Sequence, residues 1–302
     1  MSRRRRGRPV SGVLLLDKPG GITSNQALQT ARRLFDAAKA GHTGTLDPLA
    51  SGLLPLCFGE ATKVSRFLLG ADKGYRARLR LGITTSTGDS TGEVLRERPV
   101  AVERAHVEAV LRAHTGELQQ VPPMYSALKH DGERLYVLAR RGETVEREAR
   151  TVHITRLELR EFAGAELELD VDCSKGTYVR SLAEDIGEAL GCGAHLTALR
   201  RERVGRLLLS QAVTLEVLAA RADDQAALDA CLTPLTEALA HLPQHLVSDA
   251  EAERLRHGQP LAAPVGVAEG WLAVFSVRRD FLGMVERVGA QLLPRRLVGQ
   301  DG

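Results

Sequence analysis

The sequence is poor in cysteine and has no long apolar segment. Its 302 residues include four cysteines, which lie far apart and form no Cys-x-x-Cys pair: Cys57, Cys173, Cys192 and Cys231. This spacing argues against a disulfide framework and against a zinc site, and it favours reduced thiols. The apolar patch at residues 13–16 ends at Asp17, well short of the roughly 18 residues of a membrane span. We therefore expect a cytoplasmic protein without membrane contact.

The sequence also has little excess charge of either sign. Its 41 basic and 38 acidic residues leave a formal net charge of +3, so the total charge is weak evidence for a nucleic-acid partner. Positive charge is concentrated instead in an arginine run within residues 1–8 and in a basic region within residues 122–150. We expect a disordered arm at 1–8, either solvated or touching phosphates, and a protruding insertion at 122–150, either phosphate-facing or solvated.

Three kinds of catalytic apparatus are absent from the sequence. It has no obvious pair of carboxylates for acid and base catalysis, no phosphate-binding glycine loop and no cluster of metal-ligand residues. These absences favour a reaction without cofactor or metal, in which one carboxylate acts as nucleophile or base.

The candidate for that carboxylate is Asp47, in the glycine-bordered segment 41–52. The residue before a proline is pushed towards extended backbone, and Pro48 suits the first turn of a helix. We therefore expect Asp47 at a strand-to-helix or loop-to-helix junction, with its side chain on a fixed backbone. Taken alone, an Asp-Pro pair is more often a helix N-cap than a catalytic group.

Hydrophobic periodicity predicts an α+β fold. A buried strand at residues 11–16 precedes a helix from Thr23 to about Phe35, and strict alternation over 73–82 predicts a half-buried strand. Residues 122–129 are expected to form a rigid strand. From Pro243 onward short strands and turns predict a small β-rich domain, which leaves a larger domain at 9–242.

Three further features of the chain are expected to converge with Asp47. Tyr75 begins the alternating strand, Tyr178 and Arg180 fall on the first turn of a helix, and Leu199 is hydrophobic. Arg180 would supply the counter-charge that an ionised aspartate needs in a dry pocket, and a tyrosine offers a flat face for stacking a base. The alternatives are a buried tyrosine of the core and a surface ion pair.

Several segments together resemble the bacterial tRNA pseudouridine-55 synthases, the TruB family. The segments that carry the resemblance are GHTGTLDPLASG, DKGYRARLRLG, SKGTYVRSL, PPMYSALK, DKPGGITS and LLPRRLV. The resemblance implies a pseudouridine-synthase core with a central mixed, largely antiparallel sheet flanked by helices, followed by a PUA-like RNA-binding domain at 243–302. It also implies isomerisation of a uridine in the T-loop of tRNA to pseudouridine, without a cofactor.

The resemblance also assigns roles to individual residues. Asp47 matches the catalytic aspartate, and Arg180 matches its partner. Tyr75 matches the tyrosine that stacks on the base, and it is a candidate for removing the C5 proton late in the reaction. Attack by Asp47 at C1′ of the ribose and attack at C6 of the base both remain open.

The remaining matches are to substrate-binding positions. His42 matches the residue that enters the T-loop and stabilises the flipped-out arrangement, and Tyr178 and Leu199 match pocket residues. Lys18, Asp89 and Lys129 lie in matching segments and are expected to contact substrate. From its own loop, however, Asp89 is expected to form an Asx turn, and Lys18 is expected to be either solvated or bound to a phosphate.

The expected partner is the T-stem-loop of tRNA, bound by a monomer without a protein partner. Two other functions stay open from the residues. One is a non-catalytic RNA-binding or RNA-folding protein, in which the scaffold acts without Asp47. This role could be its only one or could accompany the isomerisation. The other is an N-glycosidase, if free uracil left the site.

Overall fold

The computed structural model describes residues 7–298 and divides the chain into two compact units. The first unit consists of Met1–Ala71 and Arg203–Gly302, and the second of Asp72–Glu202. Residues 1–6 of the predicted arm lie outside the described residues. Arg8 is held in place, because its guanidinium donates to both carboxylate oxygens of Asp229 at 2.8 and 3.0 Å. The limits proposed for the arm and the two domains stay predictions.

The main sheet of the first unit is mixed. Its central strand Gly12–Lys18 pairs antiparallel with Ser51–Phe58 and Leu232–Thr233, and parallel with Val213–Thr214. The short strand Ala40–His42 pairs antiparallel with Ser51–Phe58 from the other side. Because Gly12–Lys18 is buried along almost its whole length, this sheet forms the centre of the unit's core.

The first helix, Ser24–Leu34, confirms the prediction made from Thr23. The Thr23 hydroxyl accepts the Gln26 N–H at 3.1 Å, and the Gln26 side chain accepts the Thr23 N–H at 2.8 Å, which forms a capping box. The other helical segments of this part of the unit are short: Gly59–Val64, Ser65–Leu69, Leu209–Gln211, Leu215–Ala219, Gln225–Asp229 and Leu235–Ala238. Within the described residues, no helix is both long enough and apolar enough to span a bilayer.

The C-terminal part of the first unit is β-rich, as predicted. A five-stranded sheet contains the strands Gln244–Val247, Leu261–Ala262, Gly270–Ser276, Phe281–Val288 and Gln291–Leu297. The helix Asp249–Arg256, capped by Ser248, was not predicted. Trp271 joins this sheet to the helix Ser65–Leu69, because its ring lies 5.3 Å from the Phe67 ring and 3.9 Å from the Arg66 guanidinium carbon.

The second unit holds an antiparallel sheet with helices packed against it. The strand Glu166–Cys173 lies between Lys73–Leu81 and Arg150–Ala163, and Gly116–Gln120 pairs with Arg150–Ala163. The strand Ala194–Val204, most of which lies in this unit, pairs with the other edge of Lys73–Leu81. The helices are Arg104–Ala113, Leu135–Arg140 and Val179–Ala189, and the small ribbons are Ile83–Thr85 with Val94–Glu97 and Lys129–His130 with Glu133–Arg134.

The alternation predicted for residues 73–82 is confirmed in the strand Lys73–Leu81. Ala77, Leu79 and Leu81 are buried in the core, whereas Arg78 and Arg80 are exposed on the other face. The fold class is therefore α+β, with a mixed and largely antiparallel sheet flanked by helices and a small β-rich C-terminal part.

Two predicted elements were wrong. No helix follows Pro48, because the apolar residues behind it form the strand Ser51–Phe58, which satisfies its backbone by pairing with Gly12–Lys18. Asp47 therefore lies in a loop between two strands, and it is not a helix N-cap. Residues 121–128 are irregular, with a bend at 124–127, instead of the rigid strand expected at 122–129, and only Lys129–His130 is a short strand.

Candidate functional site

The loop at residues 43–50, which we call the Asp47 loop, holds its backbone by hydrogen bonds on both sides of Asp47. The buried Ser24 hydroxyl accepts the Leu46 N–H at 2.8 Å and donates to the Leu46 carbonyl at 2.9 Å. On the other side, the Gly21 N–H donates to the Pro48 carbonyl at 2.7 Å. Asp47 itself is partly exposed. The loop thus presents a carboxylate from a fixed backbone, as predicted, although no helix is involved.

Lys18 and His42 lie in the strands that lead to this loop. The Lys18 side chain is 0% exposed, and its ammonium donates to the carbonyls of Pro19 and Ile22 at 2.8 and 2.7 Å. The solvated alternative for Lys18 was therefore wrong, since this lysine holds the turn that contacts the Asp47 loop. His42 is partly buried and ends the strand Ala40–His42, immediately before the loop.

In the second unit, Arg180 is a buried arginine near the start of the helix Val179–Ala189. It is 5% exposed, so the surface ion pair considered for it was wrong. Its two terminal nitrogens donate to backbone carbonyls of different loops, Nη1 to Thr87 at 2.9 Å and Nη2 to Tyr125 at 2.6 Å. Because a guanidinium is planar and its donors have fixed directions, these bonds set the orientation of the whole group.

Asp89 forms the predicted Asx turn and also faces Arg180. Its Oδ1 accepts the Thr91 N–H at 3.0 Å and the hydroxyls of Thr87 and Thr91 at 2.7 and 2.6 Å. Its Oδ2 lies 4.0 Å from Arg180 Nε. The sequence signalled the turn but gave no sign of the arginine, because the two residues belong to distant segments of the chain.

The three hydrophobic or aromatic site residues of the second unit are partly buried. Tyr75 and Leu199 both pack against the core cluster that fills the space between the sheet and its helices. Tyr178 is the N-cap residue of the helix that carries Arg180. The helix start predicted for Tyr178 and Arg180 is therefore confirmed.

Gln120 is a contact residue that the sequence analysis missed. Its Oε1 accepts the Tyr178 N–H at 2.7 Å, and its Nε2 donates to the Tyr178 carbonyl at 3.1 Å. The contact joins residues 58 positions apart. In the sequence Gln120 is one of two adjacent glutamines at a strand end, and no local pattern marks it.

Glu184 is an acidic group one helical turn beyond Arg180. The pKa of its carboxyl is raised from the ordinary value of 4.5 to about 7, chiefly by burial and also by nearby Asp185, while Arg180 opposes the shift. The carboxyl packs closely against Gly88, so that a side-chain carbon at Gly88 would lie 3.0 to 3.1 Å from it. The helix therefore brings a titrating group near Arg180 and Asp89.

The basic insertion is only partly available for contact with an anion. Lys129 is exposed on its hairpin and lines a groove together with His130, Arg147 and Arg150. Arg141, in contrast, is engaged by Glu133 at 2.7 Å. Across residues 7–298 no cluster of three or more histidine, cysteine or acidic side chains is arranged to hold a metal ion.

The predicted site residues thus form two groups. Lys18, His42 and Asp47 lie in the first unit, on adjoining strands and loops. The second unit holds the others: Tyr75, Asp89, Lys129, Tyr178, Arg180 and Leu199. Of these, Asp89 and Arg180 face each other directly and Tyr178 shares the helix start with Arg180, whereas Lys129 lies apart on its hairpin. The convergence of Asp47 with Tyr75 and Arg180 stays a prediction.

Comparison with known proteins gives one family. Its models match three consecutive stretches of the chain: "TruB family pseudouridylate synthase (N terminal domain)" at residues 32–179, "tRNA pseudouridylate synthase B C-terminal domain" at 180–240, and "Pseudouridine synthase II TruB, C-terminal" at 243–298.

Individual relatives are similar over nearly the whole chain. The tRNA pseudouridine synthase B of Pseudomonas paraeruginosa is 54% identical over 294 residues, which cover 96% of this chain and 97% of the relative. That of Burkholderia lata is 57% identical over 296 residues, covering 96% and 91%. A chain in a solved structure of a Cbf5-Nop10-Gar1 complex is 27% identical with a TM-score of 0.74, covering 95% of this chain and 84% of that one.

Proposed function

Since the chain belongs to the TruB family of pseudouridylate synthases and is therefore an isomerase of tRNA uridine, we propose that its target is a uridine of the T-loop and that Asp47 is the nucleophile. The observation that supports this assignment is the Asp47 loop, which presents one partly exposed carboxylate between backbone bonds on either side. A nucleophile held in this way loses little conformational freedom when substrate binds, and this lowers the barrier to attack.

The proposed reaction rearranges bonds without a net change in composition. The target nucleotide leaves its stack and enters the pocket, where Tyr75 offers a stacking face. The Asp47 carboxylate attacks C1′ of the ribose or C6 of the base, and the bond between N1 and C1′ breaks. The uracil turns, C5 bonds to C1′, and the Asp47 bond is released. The C5 proton is lost, with Tyr75 as the candidate acceptor, and N1 gains a proton.

Arg180 serves this chemistry as a fixed positive charge. A carboxylate in a site that excludes water needs a counter-ion to remain ionised, and Arg180 is held rigidly by the carbonyls of Thr87 and Tyr125. Exclusion of water has a second purpose, because water would otherwise hydrolyse a glycosyl intermediate and free uracil would escape. Free uracil among the products would therefore favour an N-glycosidase instead.

The variant Asp47→Asn tests the nucleophile. We expect it to bind a tRNA transcript with near-normal affinity and to release tritium from C5-labelled uridine at least about a thousand-fold more slowly, because an amide cannot form the covalent intermediate. Asp223→Asn is the control, since Asp223 is an exposed acid outside the proposed site. Turnover of Asp47→Asn at the rate of that control would refute the assignment.

Three finer points stay predictions. These are the monomeric state, the absence of a protein partner and an additional role in tRNA folding. The folding role is tested with the same variant, because an RNA-folding activity independent of chemistry requires Asp47→Asn to accelerate tRNA refolding as well as the wild type does.

A further inference from the structure

The helix Val179–Ala189 begins without a cap from its own sequence. Its N-cap residue, Tyr178, makes no side-chain capping bond, and the first turn carries no acidic residue. The helix Ser24–Leu34, in contrast, begins with a complete capping box at Thr23. A helix start without a side-chain cap is held less firmly by its own sequence. A constraint from another part of the protein therefore matters more at Tyr178.

Gln120 supplies this constraint from a different strand. It ends the strand Gly116–Gln120, is 4% exposed, and binds both backbone groups of Tyr178 with a single side-chain amide. The amide oxygen accepts from the N–H and the amide nitrogen donates to the carbonyl, so only one orientation of the amide satisfies both bonds. Two such bonds fix the direction of a backbone segment as well as its position.

The same helix start carries the groups proposed for the substrate pocket. Tyr178 is the N-cap, and Arg180 follows two residues later. The segment immediately after Gln120 contacts this helix start a second time, through the Tyr125 carbonyl that accepts from Arg180 at 2.6 Å. A shift of the helix start would therefore displace the Tyr178 ring and the Arg180 guanidinium together.

We infer that Gln120 is a positioning residue for the reaction, which holds Tyr178 and Arg180 in their productive places through the backbone of Tyr178. The inference rests on the proposed function, because it concerns the same pocket. Gln120 contacts no reacting atom itself. It therefore affects the rate of isomerisation in bound tRNA more than the affinity for tRNA.

The test compares Gln120→Ala with Gln119→Ala. Gln119 is the adjacent residue of the strand, but it is exposed and donates to Thr151 at 3.0 Å, away from the helix start. The measurement is tritium release from C5-labelled transcript under single-turnover conditions, together with the transcript Kd and the thermal midpoint of each variant. We expect Gln120→Ala to slow isomerisation about ten- to a hundred-fold and to change Kd less than about two-fold, as for a displaced catalytic group.

Gln120→Glu covers the case in which Gln120→Ala does not fold. This variant has nearly the same shape, but its ionised carboxylate cannot donate to the Tyr178 carbonyl. Protonation restores the donor, so we expect its rate relative to wild type to rise as the pH is lowered. A constant ratio across pH would contradict a positioning role through that bond.

The other outcomes separate the inference from the proposed function. If the wild type releases no tritium from the transcript, the proposed function fails. If the wild type is active but folded Gln120→Ala equals Gln119→Ala, or loses affinity alone, the inference about Gln120 is wrong and the proposed function stands.

Discussion

In the second unit, Arg180 and the arginines of an exposed ladder all have acidic neighbours, but their surroundings differ. Arg78 belongs to a charge ladder on the outer face of the sheet, where its Nε donates to Glu168 at 2.6 Å while 63% of its side chain remains exposed. Arg180 is buried, and its two terminal nitrogens donate to the carbonyls of Thr87 and Tyr125. The carboxylate of Asp89 lies farther away, with its Oδ2 4.0 Å from Arg180 Nε.

This difference distinguishes arginines that form exposed ion pairs from an arginine that is held in a fixed position. The ladder also contains Arg156 and Arg160 around Asp170, and exposed pairs of this kind contribute little because water and salt screen them. Arg180 is bound by backbone atoms of two loops, which cannot rotate away as a side chain can. The burial of Arg180 and its two backbone partners, more than its acidic neighbour, therefore suit it to the proposed chemistry.

The largest difference in isomerisation rate is expected between the variants in which Arg180 or Arg78 is replaced by lysine. Arg180→Lys should slow isomerisation at least about a hundred-fold, because the single nitrogen of an ammonium cannot take the places of both Nη1 and Nη2. Arg78→Lys should stay within about two-fold of the wild-type rate, since its charge pair is exposed. Single-turnover tritium release with both variants measures the contrast, and equal losses would mean that burial does not distinguish the two residues.

A smaller difference in rate is expected between substitutions on the two faces of the strand Lys73–Leu81. Tyr75 packs partly against the core, whereas Arg78 lies on the outer face. Tyr75→Leu should slow the chemical step about ten-fold or more while changing transcript affinity only slightly, because a leucine keeps the apolar contact and loses the ring. If filter binding shows a loss of affinity without a change in the bound rate, Tyr75 only docks the RNA.

The smallest effect concerns stability and compares two glutamates of one helix. The pKa of Glu184 is raised to about 7 by burial, whereas the Arg98 side chain lowers the pKa of exposed Glu188. A carboxyl with a raised folded-state pKa binds more protons folded than unfolded, so its ionisation destabilises the protein as pH rises from about 4.5 to 7. Glu184→Gln should therefore stabilise the protein more at pH 8 than at pH 5.

Thermal midpoints at the two pH values measure this effect, with Glu188→Gln as the control. The Glu188 pKa lies below its ordinary value of 4.5, so Glu188 stays ionised across this window, and its substitution should shift the midpoint by the same amount at both pH values. A pH-independent shift for Glu184→Gln would show that its carboxyl does not titrate near neutrality.

The parts of the fold that local sequence dictates were predictable. Thr23 with Gln26 marks a helix start within four residues, and the alternation from Lys73 to Leu81 marks a strand and its faces. Ser248 with Glu251 carried the same helix signal and was overlooked. These signals depend on neighbours in the chain, so they need no knowledge of the tertiary structure.

The errors arose where tertiary contacts override local preference. Pro48 predicted a helix, but pairing of Ser51–Phe58 with Gly12–Lys18 makes the following segment a strand. Arg180 and Asp89 were each selected as site residues, yet their opposition depends on loops that are distant in sequence. Gln120 was invisible for the same reason, since its partner is 58 positions away.

The most direct measurement of the central claim uses two tRNA transcripts labelled with tritium at C5 of uridine. One keeps the T-loop uridine, and the other carries cytidine at that single position. We predict that the wild-type enzyme releases one tritium per molecule of the first transcript, with pseudouridine as the product. It releases none from the second transcript. Equal release from both transcripts would place the reaction elsewhere in the tRNA, and release from neither would contradict the proposed function.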